Sequence, residues 1–382
     1  MKLKVYLNMY GIRREVGLLY ENSKRVFFEY SKEFIDSKIQ ISPFKLPLKT
    51  GVFEEKTYIF DGLYGVFNDS LPDGWGKLLI DRKLLKNGLT LKDISPLNRL
   101  SIIGKNPIGA LEYEPADNEE NYKFTNISLD SLSNEIKKVL NSDEYLFDQL
   151  RILNGSSGGA RPKIIAYVSE DKKTISHETQ HTNKKYSEWI IKFPTAYDPK
   201  NIGETEYLYS IAAKEAGINM PETYLFKSKN CKGYFGTKRF DRISKGKIHI
   251  HSVCGLLHAP HLINSIDYEN ILKLTFALTK DEKEVVEMVR RMVFNVKANN
   301  RDDHSKNFSF LIDESNNWKL APAYDLTPSA GFNGEHTSTV NGKGTNISDS
   351  DLIKVSEQAG IKKEITKEII HQVETAIKNT IL

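Results

Sequence analysis

Cysteine is almost missing from this sequence: Cys231 and Cys254 are the only two in 382 residues. Two thiols could close one disulfide but give no framework, so a reducing, cytoplasmic setting is expected. No apolar run approaches the length needed to span a bilayer, so no membrane role is expected. The opening Met1-Lys2-Leu3-Lys4-Val5-Tyr6-Leu7 alternates like a strand and lacks the apolar block of a secretory signal. A large excess of one charge is missing too. The 54 basic and 50 acidic residues leave a formal charge of +4, too weak to argue direct nucleic-acid contact. There is no internal repeat and no low-complexity tract. What remains is ordinary globular composition, 39% hydrophobic and 27% charged. The length suggests two domains, or one bilobed unit with an attachment.

The first hundred or so residues read as mostly β. Leu3, Val5 and Leu7 alternate with polar residues, and 16–20 and 25–30 are further strand-like runs. The turn-rich Asp69-Ser70-Leu71-Pro72-Asp73-Gly74-Trp75-Gly76 leads into a helical pattern with Leu78, Leu79, Ile80, Leu84 and Leu85. Residues 114–130 turn polar and acidic and read as a linker. Strands are predicted over 164–168 and 189–193, joined as a hairpin, followed by a helix over 204–217 and two strands near 223–226 and 234–237. From about Ser252 the pattern becomes helical, clearest over 284–296, where Val285, Val289, Met292, Val293 and Val296 keep helical spacing. A short hairpin (308–312 and 318–321) follows, and an amphipathic helix with Ile365, Ile369, Val373 and Ile377 closes the chain. The expected division is 1–115, a β-rich subdomain; 116–250, a nucleotide-binding lobe; and 251–382, a helical lobe.

Phosphoryl transfer needs a carboxylate to orient the attacking hydroxyl, oxygen ligands for Mg²⁺ and a cation on the nucleotide phosphates. Asp302 and Asn307 stand five positions apart, the spacing of a kinase catalytic loop, with His304 and Lys306 between them. Of the neighbours Asp302 and Asp303, only the first keeps that spacing. A further acid, Asp325, follows the short hairpin, which can carry a metal-binding carboxylate back beside the loop. Upstream, Lys192 sits mid-strand in an apolar run, where burial is costly unless an anion meets it. Glu206 on the next helix could hold that lysine. The run Gly155-Ser156-Ser157-Gly158-Gly159 offers backbone N–H groups to phosphates.

Each part alone has a plain structural reading: a flexible turn, an edge lysine, a polar helix cap. Their order argues against coincidence, because glycine loop, strand lysine, helix glutamate, Asp-x₄-Asn, hairpin and Asp follow one another as a two-lobed kinase requires. Two metal signals compete. His177-Glu178-Thr179-Gln180-His181 matches a zinc-protease pattern, but its surroundings are polar and lie between two strands, so it reads as a chance match in a hairpin. His249, His251, His258 and His261 fit no zinc spacing.

The chain resembles the HipA-like kinases, toxin components of bacterial toxin–antitoxin systems. The resemblance rests on Ser156 to Lys163, Trp189-Ile190-Ile191-Lys192-Phe193-Pro194, Lys238-Arg239-Phe240-Asp241-Arg242, Asp302 to Asn307 and Ala323-Tyr324-Asp325. Leu71 to Gly76 and Ile103 to Ala110 look like that family's amino-terminal domain. It implies an α+β, two-lobed protein-kinase-like fold with a β-rich N-terminal subdomain and a mostly helical C-terminal lobe. It further implies ATP and Mg²⁺ as cofactors, with Asp302 as catalytic base, Lys192 on the phosphates, and Asn307 and Asp325 on the metal. Nucleotide contacts are implied for Ser156, Ser157, Gly158, Gly159, Lys163, Lys192, Lys238, Phe240, Asp241 (near the ribose) and His304. Family members autophosphorylate a glycine-loop serine; the matching position is Ser156, with Ser157 beside it. Arg161 departs from the family's usual glutamine and could add a cation to the phosphates. The Asp-Phe-Gly form of ordinary kinases is lacking, since Leu326 and Thr327 follow Asp325. The resemblance implies a serine/threonine kinase toxin acting on an aminoacyl-tRNA synthetase or another translation factor. It would pair with a HipB-like helix-turn-helix antitoxin and reach DNA only through it. A small-molecule kinase of the aminoglycoside or choline type shares the same acid logic and is the alternative.

Overall fold

The computed structural model describes residues 1–116, 127–140, 147–154, 159, 161–177, 186–261, 263 and 265–382. The chain forms two compact units, Met1–Gly203 with Tyr224–His251, and Glu204–Thr223 with Ser252–Leu382.

The first unit opens on an antiparallel sheet. Strands β1 (Lys2–Met9), β2 (Ile12–Asn22), β3 (Arg25–Tyr30), β4 (Val52–Glu54) and β5 (Leu111–Glu114) lie in the order β4-β3-β2-β1-β5. Alternation decides which face is buried: Leu3, Val5, Leu7 and Met9 point inward, and the intervening lysines face water. Tyr10 and Gly11 form a two-residue turn with φ of 51° and 77°, and Ser23 and Lys24 form another at 49° and 65°. Two positive φ values give the turn twist that matches paired strands, so both hairpins close tightly. Between β4 and β5 the chain is helical. Gly74–Lys86 was expected; Pro96–Ile103 was not, although Ser95 and Asn98 form a capping box at its start.

A second antiparallel sheet belongs to the same unit. It comprises β6 (Lys163–Ser169), β7 (Ile175–Ser176), β8 (Tyr186–Lys192), β9 (Thr223–Phe226) and β10 (Tyr234–Lys238), in the order β7-β6-β8-β10-β9. The expected strand, hairpin, strand is present, but β8 ends at Lys192 rather than running past it. Ile164, Ala166, Val168, Trp189 and Ile191 pack with Trp75, Leu79, Leu129, Leu132 and Ile136. Those last residues lie on the helices Gly74–Lys86 and Leu129–Leu140. Part of the stretch expected as a linker is therefore helix, because Leu129, Leu132 and Ile136 repeat on one face and find an apolar sheet to cover; residues 117–126 lie outside the described residues.

The second unit is helical, with Tyr268–Thr279, Glu282–Lys297, Asp349–Gln358 and Lys363–Thr380 as its principal helices and a hairpin of Ser309–Ile312 with Trp318–Leu320. Helices 282–297 and 363–380 pack side by side. Val285, Val289, Met292 and Val293 from one, and Ile369, Ile370 and Val373 from the other, are buried. Arg290 donates to the Gln372 amide oxygen at 2.5 Å, and Lys297 pairs with Glu374 at 2.5 Å. Both cysteines are free thiols. Among the described residues no helix is long and apolar enough to cross a membrane.

Candidate active site

In the first unit two lysines face one another. Lys163 on β6 stands directly opposite Lys192 on β8, so both side chains leave the same face of the sheet. Lys163 is buried and Lys192 half-buried. The pairing puts two ammonium groups on one face of the sheet. The Lys192 ammonium lies 5.6 Å from the Phe235 ring centroid. Gly159 has a φ of 93°, and a Cβ built there would stand 2.5 Å from the Lys163 ammonium. The positive φ is what favours glycine there. Ser156, Ser157 and Gly158 lie outside the described residues. Arg161 is engaged elsewhere, its guanidinium 3.1 Å from Asp198.

Lys238 ends β10, and half-buried Phe240 follows. The structure gives Asp241 an occupation other than a ribose. Arg239 grips its two oxygens at 2.9 and 2.6 Å, Arg242 donates at 2.7 Å and the Gly109 N–H at 2.8 Å. Burial alone would raise its pKa, but the two guanidiniums and the N–H outweigh it and hold the carboxyl well below its usual range. Arg239 and Arg242 also donate to the Pro107 carbonyl at 3.2 and 2.6 Å. The Lys238–Arg242 and Ile103–Ala110 motifs are thus two halves of one buried ionic joint.

In the second unit the loop after helix 282–297 is pinned from several sides. Asn300 N–H donates to the Asn295 carbonyl at 2.9 Å and the Asn300 amide to Asn295 Oδ1 at 2.9 Å. Ser329 N–H donates to Asn299 O at 3.0 Å, and Thr337 N–H to Arg301 O at 3.1 Å. Two adjacent carboxylates then part company. Asp303 is fully buried and accepts from Tyr268 OH at 2.8 Å, His336 Nδ1 at 2.9 Å and Ser338 N–H at 3.2 Å. Asp302 turns outward, its side chain 62% exposed. The Asn307 side-chain amide nitrogen donates to the Asp302 backbone carbonyl at 2.8 Å, which leaves the amide oxygen as an acceptor.

His304 Nε2 lies 4.0 Å from Asp302 Oδ1, and its ring meets that of His261 at 5.4 Å between centroids. Its Nδ1 is buried with no hydrogen-bond partner among the described residues. Asp325 has a φ of 58°, a strained conformation for a non-glycine residue. Tyr324 ties its segment to the loop: its hydroxyl donates to Lys306 O at 2.7 Å and lies 2.5 Å from Ser309 Oγ. Glu206 is buried on the helix Ile202–Glu215 of this unit. Asn307 and Asp325 carry hard oxygens, of the kind that would suit Mg²⁺.

Among the described residues no three His, Cys, Asp or Glu side chains are placed to hold a metal; Glu178 to His181 lie outside the described residues. One grouping was invisible in the sequence. In the first unit Asp69 Oδ2 meets His251 Nδ1 at 2.7 Å, and His251 Nε2 meets Ser42 Oγ at 2.9 Å. The order is that of a nucleophile relay, but Ser42 is 1% exposed and no substrate reaches it. It is a buried polar tie between distant segments.

The fold and these parts define a mixed α and β protein with a β-rich amino-terminal region and a helical carboxyl-terminal part. Residues 3–114 match the HipA N-terminal domain and 155–381 the HipA-like C-terminal domain. The chain belongs to the HipA-like family. A Sinorhizobium fredii protein named "Putative kinase Y4dM" is 25% identical over 195 residues, 46% of this chain and 47% of its own. A Haemophilus influenzae "Putative kinase" is 26% identical over 185 residues, 45% of this chain and 52% of its own. The chain thus spans about half the length of the curated relatives it matches. Its fold is that of a chain in the Shewanella oneidensis MR-1 complex of HipA, HipB and operator DNA. That match has a TM-score of 0.72 at 17% identity, covering 99% of this chain and 90% of that one.

Proposed function

We propose that the chain is an ATP- and Mg²⁺-dependent protein serine/threonine kinase acting as a HipA-like toxin. The observation that carries this is the opposite fate of two neighbouring acids: Asp303 is consumed by Tyr268, His336 and Ser338, while Asp302 is held outward beside Asn307. A loop built with that much buried bonding fixes one exposed carboxylate. Asp302 orients the substrate hydroxyl and accepts its proton as the hydroxyl oxygen bonds to the γ-phosphorus and the bond to ADP breaks. Asn307 and Asp325 would hold the metal, which would neutralise phosphate charge when bound. Lys192, Lys163 and the backbone at Gly159 meet the phosphates; Lys238 to Phe240 meet the adenine, and His304 completes the nucleotide contacts.

Autophosphorylation at Ser156 or Ser157 would add close to two negative charges, repel the nucleotide phosphates and switch the enzyme off. The cellular substrate is an aminoacyl-tRNA synthetase or another translation factor in the cytoplasm, and the partner is a helix-turn-helix antitoxin. The Shewanella complex with HipB and operator DNA supports that partner. Label transfer from ATP tests the reading. Transfer to protein, abolished by Asp302→Ala, is expected; transfer to aminoglycoside or choline but not to protein would overturn it.

A further inference from the structure

The helix Gly74–Lys86 begins in an unusual way. Asp73 stands at its N-cap with extended backbone, but its side chain makes no capping bond to the helix. Aspartate at that position ordinarily bonds the second or third helical N–H. Here Asp73 Oδ1 instead accepts from the Gly159 N–H, a residue distant in sequence. The next turn reinforces the contact, because the Trp75 N–H donates to the Gly159 carbonyl at 3.4 Å. Both backbone groups of Gly159 are therefore held by one helix start.

A second contact lies one turn along. A Cβ at Gly76 would stand 2.6 Å from the Asn154 amide nitrogen and 2.6 Å from Pro72 Cβ, and Asn154 is buried. A methyl group at Gly76 would run into the Pro72 ring and the Asn154 side chain. A Cβ built at Gly159 would meet the Lys163 ammonium, and Lys163 faces Lys192.

We propose that Asp73 is a positioning residue for nucleotide binding. It fixes Gly159 beneath Lys163 and so sets the anion-facing lysine pair from the Pro72–Gly76 motif. The inference rests on the kinase reading above. Asp73 touches no nucleotide itself; it acts through Gly159. A charge-assisted bond to a backbone N–H is strong enough for its loss to weaken phosphate binding by about tenfold.

The test is steady-state kinetics of the full chain with Asp73→Ala, Asp73→Asn and Gly76→Ala, with thermal unfolding of each. Asp73→Ala should raise KM for ATP about tenfold with kcat within about twofold. Asp73→Asn, which keeps an oxygen acceptor, should recover most of the loss, which a merely structural role would not produce. Gly76→Ala should move KM the same way and decides the matter if Asp73→Ala does not fold. An unchanged KM for ATP in a folded variant overturns the inference and leaves the kinase reading standing. A wild-type chain that neither binds nor turns over ATP overturns both.

Discussion

At the residue scale the molecule separates groups that the sequence sets side by side. Asp302 and Asp303 differ by one position, yet one is exposed and the other carries three hydrogen bonds. Asp302→Ala should therefore lower phosphoryl transfer by about 100-fold or more while leaving the unfolding temperature near wild type. Asp303→Ala should do the reverse first. It strands Tyr268 OH and His336 in the interior and should cost roughly 2–4 kcal/mol in denaturant unfolding, activity following stability. The five-residue spacing singled out Asp302 from the sequence. The reason Asp303 is unsuited lay in Tyr268, His336 and Ser338, whose approach is tertiary and leaves no local pattern.

His249 supplies a second residue-scale prediction. Burial lowers its pKa to about 4, opposed by its hydrogen bond to the Ile41 carbonyl and assisted by nearby His251. The folded chain keeps this imidazole neutral while the unfolded chain protonates it near 6.5. The unfolded state thus binds the extra proton between these values. Stability is fully present above about pH 6.5 and is lost as pH falls toward 4, by up to about 3 kcal/mol. Denaturant midpoints measured between pH 7 and 4.5 should fall, and His249→Gln should flatten the slope; an equal slope in the variant would contradict this origin.

At the element scale, strands are the most legible feature. Alternation at Leu3, Val5 and Leu7 and the run 25–30 mark strands, whereas the turns at Tyr10-Gly11 and Ser23-Lys24 that pair them appear only in the structure. The pairing of β5 with β1, Leu111 against Leu7, joins segments about a hundred residues apart and could not be read locally. The helix Leu129–Leu140 hid for a different reason: its apolar stripe is short and begins inside a polar stretch. The ionic joint of Arg239, Asp241 and Arg242 with Pro107 and Gly109 links two motifs that looked unrelated. Because these charges are buried, Arg239→Ala should take the two-pronged grip from Asp241, leaving it to Arg242 and the Gly109 N–H, and cost roughly 3–5 kcal/mol, measured by equilibrium unfolding. A loss below about 1 kcal/mol would show that the joint contributes little.

At the scale of the whole molecule, the candidate chemistry divides between the units. The lysine pair and Gly159 belong to the first, and Asp302, Asn307 and Asp325 to the second. The sequence placed these residues in kinase order without reference to where either unit ends, because chain order is fixed by motif spacing while compact units are fixed by packing. Helix Ile202–Glu215 illustrates the difference: it follows β8 in sequence, yet from Glu204 onward it belongs to the helical unit. Saturating ATP with Mg²⁺ should raise the unfolding temperature of the wild type, by a free energy of about 2.7 kcal/mol at one hundred times Kd. Lys192→Met should abolish that shift.

The most direct measurement of the central claim is the mass of the intact protein after incubation with Mg²⁺ and ATP, followed by mapping of any phosphate. The wild type is expected to gain one phosphate, at Ser156 or Ser157, and Asp302→Ala to gain none. A wild type that gains no phosphate and shows no ATP binding would contradict the kinase account, and equal phosphorylation of Asp302→Ala would contradict the role given to that carboxylate.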